Sequence, residues 1–170
     1  MLLLKNVLKK SEVMNNKLKL LGYCGLYCGA CTRYCALLPD GKHVLEDAIT
    51  KGYLRREGTC TGCRGKSKSM YDHCYACEIK KCAISKEIEH CGLCHGFPCE
   101  IIVEFQNQGH SIHHKEVIDN LNELKDKDSK KWLKEQQKRW TCSCGKHFSW
   151  YEVNCSNCGN ILETYTKRNI

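Results

Sequence analysis

Hydrophobic residues recur at helical intervals along one long segment, residues 111 to 139, and charged residues fill most positions between them. The apolar positions that share one face at its start are Ile112, Val117, Ile118, Leu121 and Leu124. Ser111 can cap the first helix with its hydroxyl, and the run DKDS at 126–129 predicts a break before a second short helix that carries Trp132 and Leu133. We interpret the segment as a helical spacer whose apolar stripe packs on the rest of the protein, in preference to a helix that binds a partner.

The hydrophobic pattern elsewhere is weaker. The stretch HVLEDAITKGYL predicts a short helix over residues 43–54 that ends near Gly52. We expect residues 1–21 to form a flexible basic lead-in, in which Met14 could be an alternative start. The apolar run at the beginning stops at Lys5, unlike a secretory signal, and no run in the chain approaches the length of a membrane span. The expectation is a cytoplasmic protein that does not associate with a membrane.

Sixteen cysteines dominate the composition of the 170-residue chain. They are a large part of the 42% of residues that count as hydrophobic, so the remaining apolar core is thin. Small domains with thin cores are commonly cross-linked, and in a reducing compartment clustered thiols hold metal more often than they form disulfides. The candidate metal ligands are Cys24, Cys28, Cys31, Cys35, Cys60, Cys63, Cys74, Cys77, Cys82, Cys91, Cys94, Cys99, Cys142, Cys144, Cys155 and Cys158.

Twelve of these cysteines form a cysteine-rich module over residues 22–105. The stretch GYCGLYCGACTRYC carries four of them, CTGC carries two, and CYACEIKKC and CGLCHGFPC carry two triplets with one spacing, C-x2-C-x4-C. Zinc is favoured by the C-x2-C pairs, since one turn brings both sulfurs to the same ion. An iron–sulfur cluster is favoured by the close group of four, because a cubane is wrapped by neighbouring cysteines. The metal and the ligand connectivity stay open at this stage.

The last four cysteines predict a zinc ribbon over residues 140–165. The pairs CSC and CSNC each stand on a tight turn, and glycines follow at Gly145 and Gly159, where a positive φ is needed. The aromatic run between the pairs predicts a short hairpin. Four thiolates close a tetrahedral site, so the expected role is structural. The single residue between the first two cysteines admits His147 as a substitute ligand, although four sulfurs are the favoured set.

Other histidines are weaker candidates. His90 and His95 flank the second triplet and could replace a thiol, whereas His113 and His114 at the start of the spacer are expected on the surface. We find no carboxylate pair, phosphate loop or serine triad motif, so the sequence points to no catalytic residue.

At YCGLYCGAC, followed by CTGC, CEIKKCA and CGLCHGFPCE, the chain resembles a prokaryotic cysteine-rich family, domain of unknown function 3795. The similarity covers roughly residues 22–105, and the tail resembles the helix and zinc ribbon that accompany some members. The resemblance implies metal binding in bacteria and archaea and no particular activity. The cysteines that match the family are Cys24, Cys28, Cys31, Cys60, Cys63, Cys77, Cys82, Cys91, Cys94 and Cys99. Cys35 and Cys74 are extra, and outside a metal site either would be a reactive thiol if its pKa were depressed.

The formal net charge of +8 raises the alternative of nucleic-acid binding. Each divalent ion held by four thiolates adds −2, so four such sites would bring the total to about zero. Aromatic residues of the ribbon could stack on bases, but rings in so small a unit more often form its core. The rings concerned are Trp140, Phe148, Trp150 and Tyr151.

The sequence therefore predicts a small irregular α+β metal-stapled domain, a helical spacer and a C-terminal zinc ribbon, with stability that depends on metal. Our leading hypothesis is a non-enzymatic interaction or regulatory module with zinc or iron–sulfur in its N-terminal domain and a protein partner. One alternative is an iron–sulfur protein that transfers electrons or assists a redox enzyme. A second alternative is a zinc-ribbon protein that binds nucleic acid.

Overall fold

The computed structural model describes residues 18–39, 41–54, 58–65, 71–109 and 111–166. Most of the predicted lead-in, with Met14, therefore lies outside the described residues. Its last residues do not form a free segment, because Leu18 is 3% exposed and Leu21 is fully buried.

The described residues are mostly helical. The α-helices are α1 Thr32–Cys35, α2 Lys42–Thr50, α3 Asp72–Tyr75, α4 Glu78–Ser85, α5 Glu100–Gln106, α6 Val117–Asp126 and α7 Ser129–Arg139. Short 3-10 helices span Cys28–Ala30, Cys91–Leu93 and Ile112–Glu116. The described residues form isolated antiparallel β-bridges. These bridges pair Leu21 with Tyr27, Thr141 with His147 and Asn154 with Ile161. The predicted α+β character is thus not confirmed, and the fold is a small, mostly helical domain.

Helix α2 confirms the short helix predicted from residues 43–54. It buries Val44, Leu45 and Ala48 on one face. The chain leaves the helix through Gly52, which adopts φ +76°, a left-handed conformation that glycine takes without steric cost.

The spacer has the predicted two helices and the predicted break. Asp128 lies between α6 and α7, and its side-chain oxygen accepts hydrogen bonds from the backbone N–H groups of Lys130 (3.0 Å) and Lys131 (3.1 Å). The capping role predicted for Ser111 is wrong: this residue precedes the 3-10 helix Ile112–Glu116, but its hydroxyl makes no capping hydrogen bond there.

The apolar stripe of the spacer packs on the cysteine-rich module, as predicted. Val117 and Leu121 are fully buried, and α6 packs against α5 and the turn Cys91–Leu93. One core cluster contains residues from the module, the spacer and the ribbon. Removal of this apolar surface from water therefore stabilises all three segments together.

The ribbon is joined to the cysteine-rich module by hydrogen bonds as well. The backbone N–H of Trp150 donates to the carbonyl oxygen of Ala30 (3.0 Å), and His147 Nε2 donates to the carbonyl oxygen of Gly29 (2.7 Å). The aromatic residues of the ribbon are buried in the shared core, as predicted, so their rings are not exposed for stacking on bases.

The predicted surface position of His113 and His114 is wrong, because these residues are 9% and 7% exposed. The ring of His113 stacks on Trp150 with centroids 4.1 Å apart, and the ring of His114 stacks on Phe105 at 3.9 Å. His113 Nδ1 also hydrogen-bonds the hydroxyl of Tyr151 (2.6 Å). Aromatic stacking offsets the cost of burying these polar rings.

No described helix combines the length and the apolar character that crossing a membrane requires.

The end of α4 provides a test of backbone strain. Glu87 adopts φ +54° in a Schellman motif, in which the N–H of Ile88 donates to Ala83 O (3.1 Å) and the N–H of Glu87 donates to Ile84 O (3.0 Å). We expect Glu87→Gly to raise the free energy of unfolding by about 0.5–1 kcal/mol, since glycine removes the steric cost of the left-handed conformation. Urea unfolding would measure the change.

The matched control is Gly52→Ala, which places a side chain on a left-handed residue with open space around it. This variant should be destabilised by about 1–2 kcal/mol, the cost of a β-carbon on a left-handed residue. Equal stability of the Glu87→Gly variant and the original chain would show that the left-handed conformation of Glu87 does not destabilise the fold.

Candidate metal centres

The four C-terminal cysteines converge on one point. Their sulfurs all lie within 4.8 Å of one another, and Cys142 Sγ is 3.6 Å from Cys158 Sγ, as Cys144 Sγ is from Cys155 Sγ. A tetrahedral zinc site with bonds of 2.3 Å places its sulfurs about 3.8 Å apart. These four residues, which we call the ribbon group, could therefore hold a metal ion.

A tight turn of the backbone, here called a knuckle, carries the first two cysteines of the ribbon group. In residues 140–148 the N–H of Cys142 donates to Lys146 O (2.8 Å), and the N–H of Gly145 donates back to Cys142 O (2.8 Å). Gly145 adopts φ +86°, as the sequence predicted. The turn points both thiols to the same side, toward the second pair.

The second pair stands on a knuckle of its own. The N–H of Cys155 donates to Asn160 O (2.8 Å), and Gly159 adopts φ +75° as predicted. The hairpin predicted between the two pairs is absent from the described residues. Each knuckle closes on itself through one bridge, and the aromatic run between them turns into the core instead.

Hydrogen bonds favour the thiolate form at two cysteines of the ribbon group, whereas burial and hydrogen bonds with the other thiols outweigh the N–H of Asn160 and raise the pKa of Cys158 to about 12. A hydrogen bond from the side chain of Asn157, helped by the N–H of Lys146, lowers the pKa of Cys144 to about 6. The N–H of Cys144 lowers the pKa of Cys142 in turn. His147, the predicted substitute ligand, is instead bonded to the cysteine-rich module, so four sulfurs form the set.

The cysteine-rich module begins with a knuckle of the same design, residues 20–28. The N–H of Gly22 donates to Leu26 O (2.9 Å), and the N–H of Gly25 donates to Gly22 O (2.9 Å). The same two hydrogen bonds occur in residues 140–148, between residues whose numbers are higher by 120. Cys24 therefore occupies the position that Cys144 has in the ribbon.

Four cysteines gather beside this first knuckle, and we call them the Cys28 group: Cys24, Cys28, Cys63 and Cys77. The backbone N–H of Cys63 donates to Cys28 Sγ (3.4 Å). Burial raises the pKa of the Cys24 thiol, and the neighbouring thiols of Cys63 and Cys77 raise it further. Burial and Cys63 raise the pKa of Cys28 in the same way, and Cys31 and Cys24 add to the effect, so this group also adjoins Cys31. So many like groups in one buried place need a cation to be stable as thiolates.

A second set, the Cys94 group, consists of Cys82, Cys91, Cys94 and Cys99. Burial raises the pKa of Cys91 to about 12, and the thiols of Cys99, Cys82 and Cys94 add to the effect. The thiol of Cys77 in the Cys28 group also raises it, so the two groups are neighbours.

Two donors face Cys94. The N–H of Gly96 lowers the pKa of the Cys94 thiol, and Lys86, whose Nζ lies 3.3 Å from Cys94 Sγ, lowers it further. No sequence pattern indicated the Lys86 contact, because lysine is common on exposed helix ends.

Three cysteines make up the Cys60 group, Cys31, Cys60 and Cys74. The N–H of Cys60 donates to Arg33 O (3.1 Å), which brings it beside the first helix. A hydrogen bond from the Cys74 thiol lowers the pKa of Cys60 to about 6 and raises that of Cys74. Burial raises the pKa of Cys31, and Cys60 adds to this effect.

Cys35 has a different environment. Its thiol is buried and donates a hydrogen bond to the carbonyl oxygen of Gly29 (3.3 Å). Burial raises the pKa of this thiol, so it is held in the neutral form, unlike the reactive thiol that the sequence allowed.

Cysteines that are adjacent in sequence belong to different groups. In the triplet Cys74, Cys77 and Cys82, the strongest electrostatic neighbour of Cys74 is Cys60, whereas Cys77 acts on Cys24 and Cys63, and Cys82 acts on Cys91. Cys60 and Cys63 of the CTGC pair are likewise divided. The two triplets of the sequence are therefore not equivalent in the structure, since Cys91, Cys94 and Cys99 stay together.

The sulfurs are also spaced differently in the two halves of the chain. All sixteen cysteines are described, and among the described residues the ribbon group is the cysteine set whose sulfurs all lie within 4.8 Å of one another. The groups of the cysteine-rich module are more open. The side chain of His90 is buried, with 1% of its surface exposed, whereas His95 is exposed. No histidine of the described residues joins the ribbon group.

The fold and these sites define a cysteine-rich, mostly helical protein with a four-cysteine cluster that could hold a metal ion. The chain belongs to the family described as "Protein of unknown function (DUF3795)", whose model matches residues 20–104, half of the 170 residues. This confirms the resemblance found in the sequence. No curated protein and no solved structure matches the chain.

Proposed function

We propose that the cysteine-rich module holds iron–sulfur clusters at the Cys28 and Cys94 groups and transfers electrons, while zinc in the ribbon group is structural. The observation that carries the proposal is the division of adjacent cysteines between neighbouring groups. This geometry favours the electron-transfer alternative over the interaction module that the sequence put first.

Division of ligands between two centres is typical of two-cluster ferredoxins, in which the last cysteine of one sequence motif binds the other cluster. Here Cys77 immediately precedes the short helix α4 and Cys82 lies within it, yet the two residues belong to different groups. A zinc knuckle normally sends both cysteines of a C-x2-C pair to one ion. In the proposed assignment, the pairs Cys60 with Cys63 and Cys74 with Cys77 do not follow that rule.

The spacing of the sulfurs supports the same assignment. A single zinc ion draws four sulfurs to about 3.8 Å from one another, as the ribbon group nearly does. A cubane holds its thiolates farther apart, because iron and sulfide lie between them. The more open Cys28 and Cys94 groups suit the larger centre.

The residues around these groups are suited to an electron carrier. A bound iron–sulfur cluster supplies one-electron chemistry. Backbone N–H groups and Lys86 donate to the thiol sulfurs, which stabilises negative charge at the centre. Four thiols are available in each group, so all positions of a four-iron centre can be filled by protein. The Cys60 group offers three thiols and is a further candidate site.

The test is to purify the full chain without air and to measure iron, acid-labile sulfide, zinc and the visible spectrum. We expect a brown protein with roughly eight iron atoms, as two four-iron clusters require, and with zinc in the ribbon. Cys77→Ser should lose about half of the iron or more, since it removes a ligand of the Cys28 group. Cys35→Ser is the matched control. It should keep the iron of the original chain, because the Cys35 thiol donates a hydrogen bond to the carbonyl oxygen of Gly29 and belongs to none of the groups.

A colourless protein that contains zinc alone would overturn the proposal and return the metal-stapled interaction module to first place. Equal loss of iron in the Cys35→Ser and Cys77→Ser variants would contradict the assignment of ligands.

A further inference from the structure

Lys86 makes contact with two cysteines of the Cys94 group that come from separate segments. Its backbone N–H donates to Cys82 O at the end of α4 (3.1 Å). Its Nζ donates to Cys94 Sγ across the gap to the turn Cys91–Leu93 (3.3 Å). One residue thus positions a positive charge directly on the sulfur of a candidate ligand.

The position of Lys86 is fixed by the backbone around it. Lys86 is the C-cap residue of α4, and the Schellman motif at Glu87 reverses the chain immediately after it. Lys86 makes no ion pair within 4.0 Å in the described residues, and its partner is the sulfur. The ammonium is exposed to solvent, which weakens its field without removing the direct hydrogen bond.

We propose that Lys86 is a positioning residue that raises the reduction potential of the cluster held by the Cys94 group. This inference rests on the proposed function. Reduction adds one negative charge to a centre that is already ligated by thiolates. A cation and an N–H···S hydrogen bond stabilise that charge more than they stabilise the oxidised form.

The expected size follows from the strength of the contact. A hydrogen bond to a charged group changes an equilibrium by an order of magnitude or more, and solvent exposure reduces this. We therefore expect loss of the ammonium to shift the reduction equilibrium about threefold to fivefold toward the oxidised form, which is about 30–40 mV for one electron.

The experiment is a redox titration of the full chain without air at low ionic strength, followed in the visible spectrum and by electron paramagnetic resonance. Lys86→Met should lower the potential of one couple and leave the second, at the Cys28 group, unchanged as an internal reference. Lys86→Arg keeps the positive charge and should stay close to the original potential. Lys81→Met removes an exposed lysine from the same helix and is the matched control.

The outcomes separate this inference from the proposed function. Absence of any iron–sulfur couple in the original chain would refute both. Lys86→Met and Lys81→Met could instead shift the reduction potential equally. That result would refute the role of Lys86 and leave the proposed function intact. Loss of iron from both Lys86 variants would show that the residue retains the cluster instead of tuning it, and would also refute the inference.

Discussion

Trp132→Ala is expected to lower the free energy of unfolding by about 3–5 kcal/mol, the usual cost of truncating a large buried aromatic residue. Trp132 is 0% exposed. Its ring meets the edge of Tyr27 at a centroid distance of 6.5 Å, and its indole N–H donates to Glu123 (2.9 Å). Tyr27 lies in the first knuckle beside Cys28, so the cavity would also loosen the cysteine-rich module.

Urea unfolding of the full chain as purified, followed by circular dichroism, would measure this loss. Leu133→Ala is the matched control, because Leu133 is the next residue of α7 and is only half-buried. Its cost should be less than half of that for Trp132→Ala. Similar costs for the two variants would show that the spacer does not contribute to the shared core as its burial indicates.

Gly25→Ala is expected to cost about 2–4 kcal/mol, from two separate causes. Gly25 adopts φ +82°, which disfavours any residue with a β-carbon. A β-carbon there would also lie 2.8 Å from Cγ of Leu121 and 3.3 Å from the carbonyl oxygen of Val117. The side chain and backbone of α6 would have to move, and the knuckle would separate from the spacer.

The ribbon offers a matched variant, Gly145→Ala. Gly145 has the same place in its knuckle and nearly the same φ, +86°, but a β-carbon there would have nothing within 4 Å. This variant should cost about 1–2 kcal/mol from the backbone alone. The difference between the two variants, measured by urea unfolding, isolates the contact between knuckle and spacer. Equal costs would contradict close packing at Gly25.

Helices and turns with a local cause could be predicted from the sequence. The break at Asp128, the end of α2 near Gly52 and the positive φ of Gly145 all depend on residues within one or two turns. The stripe of the spacer was predicted because its period reports burial on one face. The four sulfurs of the ribbon could also be predicted, since each pair has its own turn.

The grouping of the other cysteines could not be predicted. Spacing shows which two sulfurs can reach one ion, and it assumes that neighbours share an ion. Cys60 and Cys63 break this assumption, because the Cys60 thiol interacts with Cys74 whereas the N–H of Cys63 donates to Cys28 Sγ. The burial of His113 was missed for a similar reason: its partner, Trp150, lies far along the chain and carries no local signal.

The short segment from Cys74 to Cys82 contributes to all three groups of the cysteine-rich module, and this has a consequence for assembly. With the proposed centres bound, loss of one would displace a segment that supplies candidate ligands to the other two. Occupancy is therefore expected to be cooperative, with chains either filled or empty and few that are half-loaded. Under the proposed function, a single delivered cluster would leave the shared segment only partly held, because its other ligands would still be unbound.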